Sequence, residues 1–316
     1  GAVGEHAAAL DVGEGAGRAR AAAFLPQGRD IAWPVSVETL VALGRSPHGD
    51  ADPAHPAVTR ALERMGLMGY RARSATALSG GEQARVLIAD RSGAVISVTL
   101  DRPWLIARLP RPMRMLSHAP HGAGFRSTDT VLWREVRNAD LTPDFPVEDW
   151  FAAQMARDPG AVGMLTSRDV GTWHQARARV EGVSAQCVVT LGLSNAESVG
   201  TRLPWHPADY GTINLLVATD AALTETAQIE ALTIAVQART AAVILSGLML
   251  PTGPATGTGT DCAVVACPAG DIRYAGLHTA VGEAVGRAVR DAVLAAATAW
   301  IAWRDAERAR RGSGRG

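Results

Sequence analysis

Several clusters of polar residues sit in glycine-rich surroundings that could do chemistry. Asp261 closes the run Ala255-Thr256-Gly257-Thr258-Gly259-Thr260-Asp261. His278 lies in Tyr274-Ala275-Gly276-Leu277-His278-Thr279, with Gly282-Glu283 just beyond. Ser194-Asn195 and Gly211-Thr212-Ile213-Asn214 are further clusters of this kind. A carboxylate at Asp261 can act as a general base, as a metal ligand, or as the group that fixes the amides of its own loop. His278 precedes a helical pattern, and the positive end of a helix favours the neutral imidazole, which can take up a proton and pass it on. Gly257 and Gly259 permit backbone geometries that other residues avoid and let loop amides approach a ligand.

The elements that must position these loops follow from pattern. Residues 94–100, 129–136, 163–166, 182–193, 211–219 and 263–266 are strand-like, rich in β-branched and apolar residues. Two helical patterns stand out. Residues 225–248 carry Ile229, Leu232, Val236 and Val243 on one face, with Thr224 as N-cap. Residues 281–307 carry the stripe Val281, Val285, Val289, Ala292, Ala296, Trp300 and Trp303. Both are Ala-rich, which allows close packing on a sheet. The expectation is an α/β fold, a mixed β-sheet packed with two long helices. A small, mainly helical fragment precedes it. The style changes near residue 90, so we expect domains over 1–90 and 91–310 and a flexible tail over 311–316.

Composition narrows the function. Of 316 residues, 47% are hydrophobic and 20% charged, which is enough apolar material for a packed core and excludes global disorder. The 31 basic and 31 acidic residues cancel, giving no basic excess for nucleic acid or an anionic membrane. All of the basic residues are Arg and none is Lys, which removes Lys nucleophiles and the Lys of a phosphate-binding loop. Cys187, Cys262 and Cys267 form neither a disulfide framework nor a zinc spacing, and read as core residues in a reducing compartment. His118-Ala-Pro-His121 is the one tempting metal pair, but Pro120 argues against the helix that usually presents paired His ligands. No metal is expected. The apolar part of the longest uncharged run, residues 241–250, is too short to span a bilayer. A soluble cytoplasmic protein without membrane insertion is expected. No signal peptide is visible, although the chain opens at Gly1 rather than Met, so its natural start can lie upstream.

The first piece contains Leu78-Ser79-Gly80-Gly81-Glu82-Gln83, with Phe24-Leu25-Pro26-Gln27 and Trp33-Pro34-Val35-Ser36-Val37 upstream. Over residues 8–89 this resembles the ATP-binding subunits of iron-siderophore and vitamin B12 ABC importers. The resemblance makes Gln27 the residue that senses metal and γ-phosphate. It makes Ser79, Gly80, Gly81 and Glu82 the element that closes over a nucleotide on an opposite subunit. The departures are large. No G-x-x-x-x-G-K-[ST] loop exists, and the pattern stops after Ala89, before the Walker B carboxylates. Phosphoryl transfer depends on those parts, so the fragment is expected to be vestigial.

The second piece supplies an ordered series. It runs Leu116-Ser117…Pro120-x-Gly122, Gly163-Met164-Leu165-Thr166, Val189-Thr190-Leu191-Gly192-Leu193-Ser194-Asn195-Ala196, Gly211 to Asn214, Ala255 to Asp261, and Tyr274 to Glu283. Over residues 95–305 it resembles the adenosylcobinamide amidohydrolase family. That resemblance implies corrinoid salvage, in which the amide joining aminopropanol or a nucleotide loop to the corrin ring is cleaved to give adenosylcobyric acid. The substrate would be a cobalt corrinoid, no further cofactor is implied, and a corrinoid importer is a possible partner. Amide hydrolysis needs an activated nucleophile, oxyanion stabilisation and protonation of the leaving amine. Asp261 or Glu283 would be the base and His278 the acid–base partner. Thr258, Thr260 and Ser194 carry candidate hydroxyl nucleophiles. The amides of the Gly257–Gly259 loop, with Asn195 or Asn214, would hold the oxyanion. No G-x-S-x-G elbow is present, and water attack assisted by Asp261 and His278 is favoured over a covalent intermediate. Trp173, Trp205 and Tyr210 could line a site for the macrocycle. The alternatives are a transporter ATPase subunit and a non-catalytic corrinoid-binding module.

Overall fold

The computed structural model describes residues 35–43, 52–79, 82, 96–136, 144–204 and 210–313. The chain divides into two compact units, Gly1–Ser92 and Gly93–Gly316.

The described part of the first unit is helical. Helix α1 (Val37–Leu43) and helix α2 (Pro56–Arg64) enclose a small core around Val41, Leu62, Leu67 and Leu78. Arg71 ties the two helices together, donating from Nε to Glu38 at 2.5 Å and from Nη1 to Thr59 at 3.1 Å.

The second unit is built on a mixed eight-stranded sheet in the order β4-β3-β2-β12-β8-β6-β5, with β1 paired to β2. Its strands are β1 (Ser97–Asp101), β2 (Trp104–Ser117), β3 (Gly124–Glu135), β4 (Val162–Thr166), β5 (His174–Val180), β6 (Val183–Leu191), β8 (Ile213–Thr219) and β12 (Cys262–Cys267). Short pairs β7 (Ala196–Glu197) with β11 (Gly257–Thr258), and β9 (Met249–Leu250) with β10 (Gly253–Pro254), lie outside it. Helix α3 (Val147–Met155) precedes β4. Helices α4 (Glu225–Leu245) and α5 (Ala280–Ser313) cover one face.

The strands β8 and β12 are parallel and buried on both sides, so they read as mainly apolar runs, broken in β8 by the buried Asn214 and Thr219. On the helix face, Leu215, Val217, Ala263 and Val265 meet Ala231, Ala235, Ala284, Ala288 and Ala292. The small helix residues let backbone and sheet come close. On the other face, Val188, Leu216 and Val264 meet Leu105, Met115 and Trp133. The sheet curls over this second core, so that Asn214 Nδ2 on β8 donates to the Leu165 carbonyl on β4 at 2.5 Å. Trp133 Nε1 donates to the Asn214 carbonyl at 3.3 Å in the same place.

The expected α/β architecture and both long helices are present. Thr224 caps α4 by accepting from the Ala227 amide. Of the expected face of α4, Val243 is buried and Leu232 and Val236 pack partly buried on the core, but the fully buried face is wider. It consists of Ala227, Gln228, Ala231, Ile234, Ala235, Ala242 and Val243, while Ile229 is 49% exposed. Gln228 is fully buried and fully used. It accepts from Arg114 Nε at 2.6 Å and donates to the carbonyls of Arg114 and Val265 at 2.8 and 2.9 Å. By length and composition α4 is apolar enough to cross a membrane. Here its Ala face packs against α5 and the sheet instead. Helix α5 continues through Ser313, past the boundary expected at 310.

Strand β2 has no clear strand pattern in the sequence. Pro110, Pro112 and several Arg interrupt its pattern. The sheet absorbs them at a gap. Up to Arg108, β2 pairs with β1, and from Arg114 it pairs with β12. Against β3 the register shifts between Arg108 and Met113. The prolines therefore fall where no ladder partner needs an amide.

Candidate functional site

Asp261 stands at the entry of β12, with its side chain 7% exposed. Its Oδ1 accepts from the Ile213 amide at 2.9 Å and from Thr258 Oγ1 at 2.5 Å. Its Oδ2 accepts from the Thr258 amide at 3.0 Å and from Arg239 Nη1 at 2.6 Å. A carboxylate offers about four lone-pair sites, and these donors occupy them. Of the roles open to Asp261, this is the geometry of the carboxylate that fixes its own loop. Arg239, 16% exposed, reaches it from the face of α4. The charges match and both are hydrogen-bonded, as a buried pair requires.

Gly257 is needed for close approach. A Cβ there would lie 2.6 Å from Asp261 Oδ2. Gly259 has open space around it, and neither glycine adopts positive φ. The unusual backbone geometry expected of this pair is therefore not found. Gly211 is tight in the same way as Gly257. Its Cβ would lie 2.7 Å from Asn195 Oδ1 and from the Gly192 carbonyl. Thr260 Oγ1 donates to the Gly211 carbonyl at 3.1 Å, and Thr212 Oγ1 to the Thr260 carbonyl at 2.8 Å. The β7–β11 pair, with Ala196 opposite Thr258 and Glu197 opposite Gly257, draws Ser194 and Asn195 to this loop. Asn195 Oδ1 is buried with no hydrogen-bond partner.

Ser194, Asn195, Asn214, Gly257, Thr258, Gly259, Thr260 and Asp261 are thus gathered at one end of the sheet. His278 and Glu283 are not with them. His278 is exposed, in the loop after the other end of β12. Glu283 pairs with Arg287 at 2.6 Å on the surface of α5. Helix α4 measures the separation. Glu230 accepts from the Ala275 amide at 2.6 Å, while Arg239 holds Asp261. Those anchors are nine residues apart, or ~13 Å along a helix. Asp261 and His278 cannot act together on one bond in this geometry, because α4 and β12 hold them at opposite ends of the same layer.

His118 is the imidazole that does lie beside Asp261. The chain leaves β2 at Ser117, antiparallel to the start of β12, which brings His118 Nε2 to 2.9 Å from the Asp261 carbonyl. A carbonyl only accepts, so Nε2 carries the proton and Nδ1 of the neutral ring holds the free lone pair. The ring is exposed. In the sequence, His118 suggests only a metal ligand paired with His121. His121 turns elsewhere, to the Pro159 carbonyl at 3.3 Å. Arg239 was also missed. Its signal was a lone charge within the apolar helix run Ala235 to Val243.

Among the described residues no group of three or more His, Cys, Asp or Glu gathers as metal ligands. All three thiols are buried. Burial, with the Asp261 charge second, pushes Cys262 up to about 12, and burial raises Cys187 and Cys267 as well. Of the aromatics expected near a macrocycle, Trp173 packs partly buried on the inner core, Tyr210 is half-buried, and Trp205 lies outside the described residues.

Residues 90–305 match the profile of the adenosylcobinamide amidohydrolase (CbiZ) family. The chain belongs to that family. An adenosylcobinamide amidohydrolase of Halobacterium salinarum is 34% identical over 164 residues, covering 49% of this chain and 67% of the relative. The family match contains every residue gathered around Asp261, together with His118, Arg239, His278 and Glu283.

Other relatives are transporter subunits. A hemin import ATP-binding protein HmuV of Streptomyces coelicolor is 44% identical over 70 residues, 21% of this chain and 25% of the relative. A cobalamin import ATP-binding protein BtuD of Halobacterium salinarum is 39% identical over 184 residues, 56% of this chain and 45% of the relative. The chain therefore spans less than half of these transporter relatives. The PH0078 protein of Pyrococcus horikoshii OT3, a solved structure, overlaps at a TM-score of 0.32 with 12% identity over 65% of this chain and 83% of that one, too slight a likeness to carry an argument.

Of the importer-like residues, Ser79 and Glu82 are described. Glu82 accepts from the Ser79 amide and hydroxyl, both at 2.7 Å. These bonds, led by the hydroxyl, hold its carboxyl down at about 2. Here the pair makes the reciprocal hydrogen bonds of a capping box, which Ser and Glu at this spacing form without any nucleotide. Gln27, Gly80 and Gly81 lie outside the described residues.

Proposed function

We propose that the second unit hydrolyses the amide joining aminopropanol, or a nucleotide loop, to the corrin ring of adenosylcobinamide or a related cobamide, releasing adenosylcobyric acid in the cytoplasm. The observation that carries this reading is the Asp261 network, which the family match contains. It locks a loop of Gly and Thr residues against His118 and against the buried acceptor of Asn195.

Asp261 and Arg239 are positioning residues in this reading. They hold the Gly257–Thr260 backbone rigid, as a site that stabilises charge requires. His118 is the acid–base group. Its Nδ1 takes a proton from the attacking water, and the resulting imidazolium returns one to the leaving amine. Overall the amide C–N bond breaks, a C–O bond forms, and water supplies both the oxygen and the amine proton. Asn195 Oδ1 accepts a hydrogen bond from a substrate N–H or O–H. His278 and Glu283 take no part in this chemistry. Thr258 supports a second route, because its hydroxyl donates to Asp261 at 2.5 Å and could attack directly.

The test is product formation from adenosylcobinamide, followed by mass spectrometry. His118→Ala is expected to lower kcat by about 100-fold or more, the usual scale for a general acid–base group. His278→Ala is expected to stay within about twofold of the parent. The opposite ranking would move the chemistry to the other end of β12. A product-free reaction with the parent chain would overturn the hydrolase reading. An acyl adduct on Thr258 in quenched reactions would select the covalent route.

A further inference from the structure

A cavity of about 550 Å³ opens beside the Asp261 network, between the loop after β6, the strand β9 and the last turns of α5. That volume falls within the usual ~300–1,000 Å³ of a small-molecule site. Ser194 and Asn195 form one wall, and Trp303, Arg304, Arg308 and Arg311 form another.

The charges on these walls are unequally committed. Glu197 accepts from the Leu203 amide at 3.2 Å, and Glu307 pairs with Arg310 at 3.2 Å. Arg304 pairs with Asp305 at 2.8 Å and lies over the Trp300 ring. Arg308 and Arg311 have no partner among the described residues. They are three apart on one helix and so share a face. Paired guanidinium forks match the oxygens of a phosphate, with charge-assisted bonds of fixed geometry. At the opposite wall, buried Asn195 Oδ1 lacks a donor. From Trp300 to Arg311 is ~16 Å of helix. The helix wall of the cavity therefore suits an anion.

We propose that Arg308 and Arg311 form a phosphate subsite, by which this chain favours corrinoids whose scissile side chain carries a phosphate ester. The identity of the ligand rests on the hydrolase reading above. The subsite itself lies beyond residue 305, where the family match ends. It is carried by the last turns of α5.

The experiment compares two substrates on the full chain. One is adenosylcobinamide, and the other is the same molecule with a phosphate monoester on the aminopropanol oxygen. The variants are Arg308→Gln with Arg311→Gln, and the milder Arg308→Lys with Arg311→Lys. We expect the Gln pair to raise KM about tenfold or more for the phosphorylated substrate at unchanged kcat, and to leave the other substrate within about twofold; loss of charge-assisted bonds sets that scale. The Lys pair is expected to recover part of the loss, and inorganic phosphate is expected to compete only against the phosphorylated substrate. If both substrates respond equally, or neither responds, the subsite is overturned while hydrolysis of adenosylcobinamide by the parent leaves the proposed function standing. If the parent hydrolyses neither, the proposed function falls. The subsite is then read from tryptophan quenching by the phosphorylated corrinoid. Weaker binding to the Gln pair supports it, and equal binding overturns it. Both arginines are at the outer end of α5, and circular dichroism melting checks that the variants fold.

Discussion

At the scale of single residues, the Asp261–Arg239 pair is the most exacting feature of the chain. The sequence allowed Asp261 three roles, and the donors around it leave no lone pair for a water proton. Arg239→Leu would leave a buried carboxylate without its cation. It is expected to cost ~3–5 kcal/mol of stability, the scale for breaking a buried pair, and to lower turnover with it. Arg239→Leu combined with Asp261→Asn is expected to cost less than the sum of the single changes, since the residues are in contact. Urea unfolding of all three variants measures this, and additive costs would mean that the pair is not coupled.

The thiols give a second test at this scale. Burial holds the Cys262 thiol near 12 and raises those of Cys187 and Cys267. A raised thiol pKa leaves almost no thiolate at pH 8, and the thiolate is the reactive form. A disulfide reagent at pH 8 is therefore expected to label none of the three in the native chain and all three in guanidinium. Fast labelling of the native chain would contradict their placement in the core.

Among the elements, the close approach of α4, α5 and the sheet rests on alanine. Ala288 on α5 is fully buried in that layer. Ala288→Leu inserts methylenes where none fit and is expected to cost ~1–3 kcal/mol, seen as a lower urea midpoint. The loops at the Asp261 end depend on glycine in the same way. Gly211→Ala would place a Cβ against Asn195 Oδ1 and the Ser194 amide. It is expected to raise KM or abolish turnover while the melting temperature falls only modestly, because the clash is confined to the loop cluster. A parent-like KM would mean that these loops do not bind substrate.

For the whole molecule, the two units differ in what they retain. The second carries a complete core, the family match and the candidate site. In the first, Ser79 and Glu82 of the signature-like segment hydrogen-bond one another. ATP is expected to leave the hydrolysis rate unchanged, and Ser79→Ala is expected to keep turnover within about twofold, since residues 1–316 contain no G-x-x-x-x-G-K-[ST] loop to couple nucleotide to the second unit. A rate that rises with ATP and falls with Ser79→Ala would show a nucleotide-sensing arm.

Local pattern alone specifies the α/β class with a mixed sheet, the two Ala-rich helices and the polar clusters Ser194, Asn195, Asn214 and Gly257 to Asp261. Periodicity, caps and turn residues are local properties, and these elements follow them. It did not show β2, whose prolines are tolerated only because β1 and β12 leave a gap between them. Nor did it show which polar loops meet. Asp261 and His278 are 17 positions apart in the chain, yet β12 carries them to opposite ends of the sheet. His118 is 143 positions from Asp261, yet its ring touches that carbonyl. Strand direction and sheet order decide such contacts, and both arise from packing the whole domain.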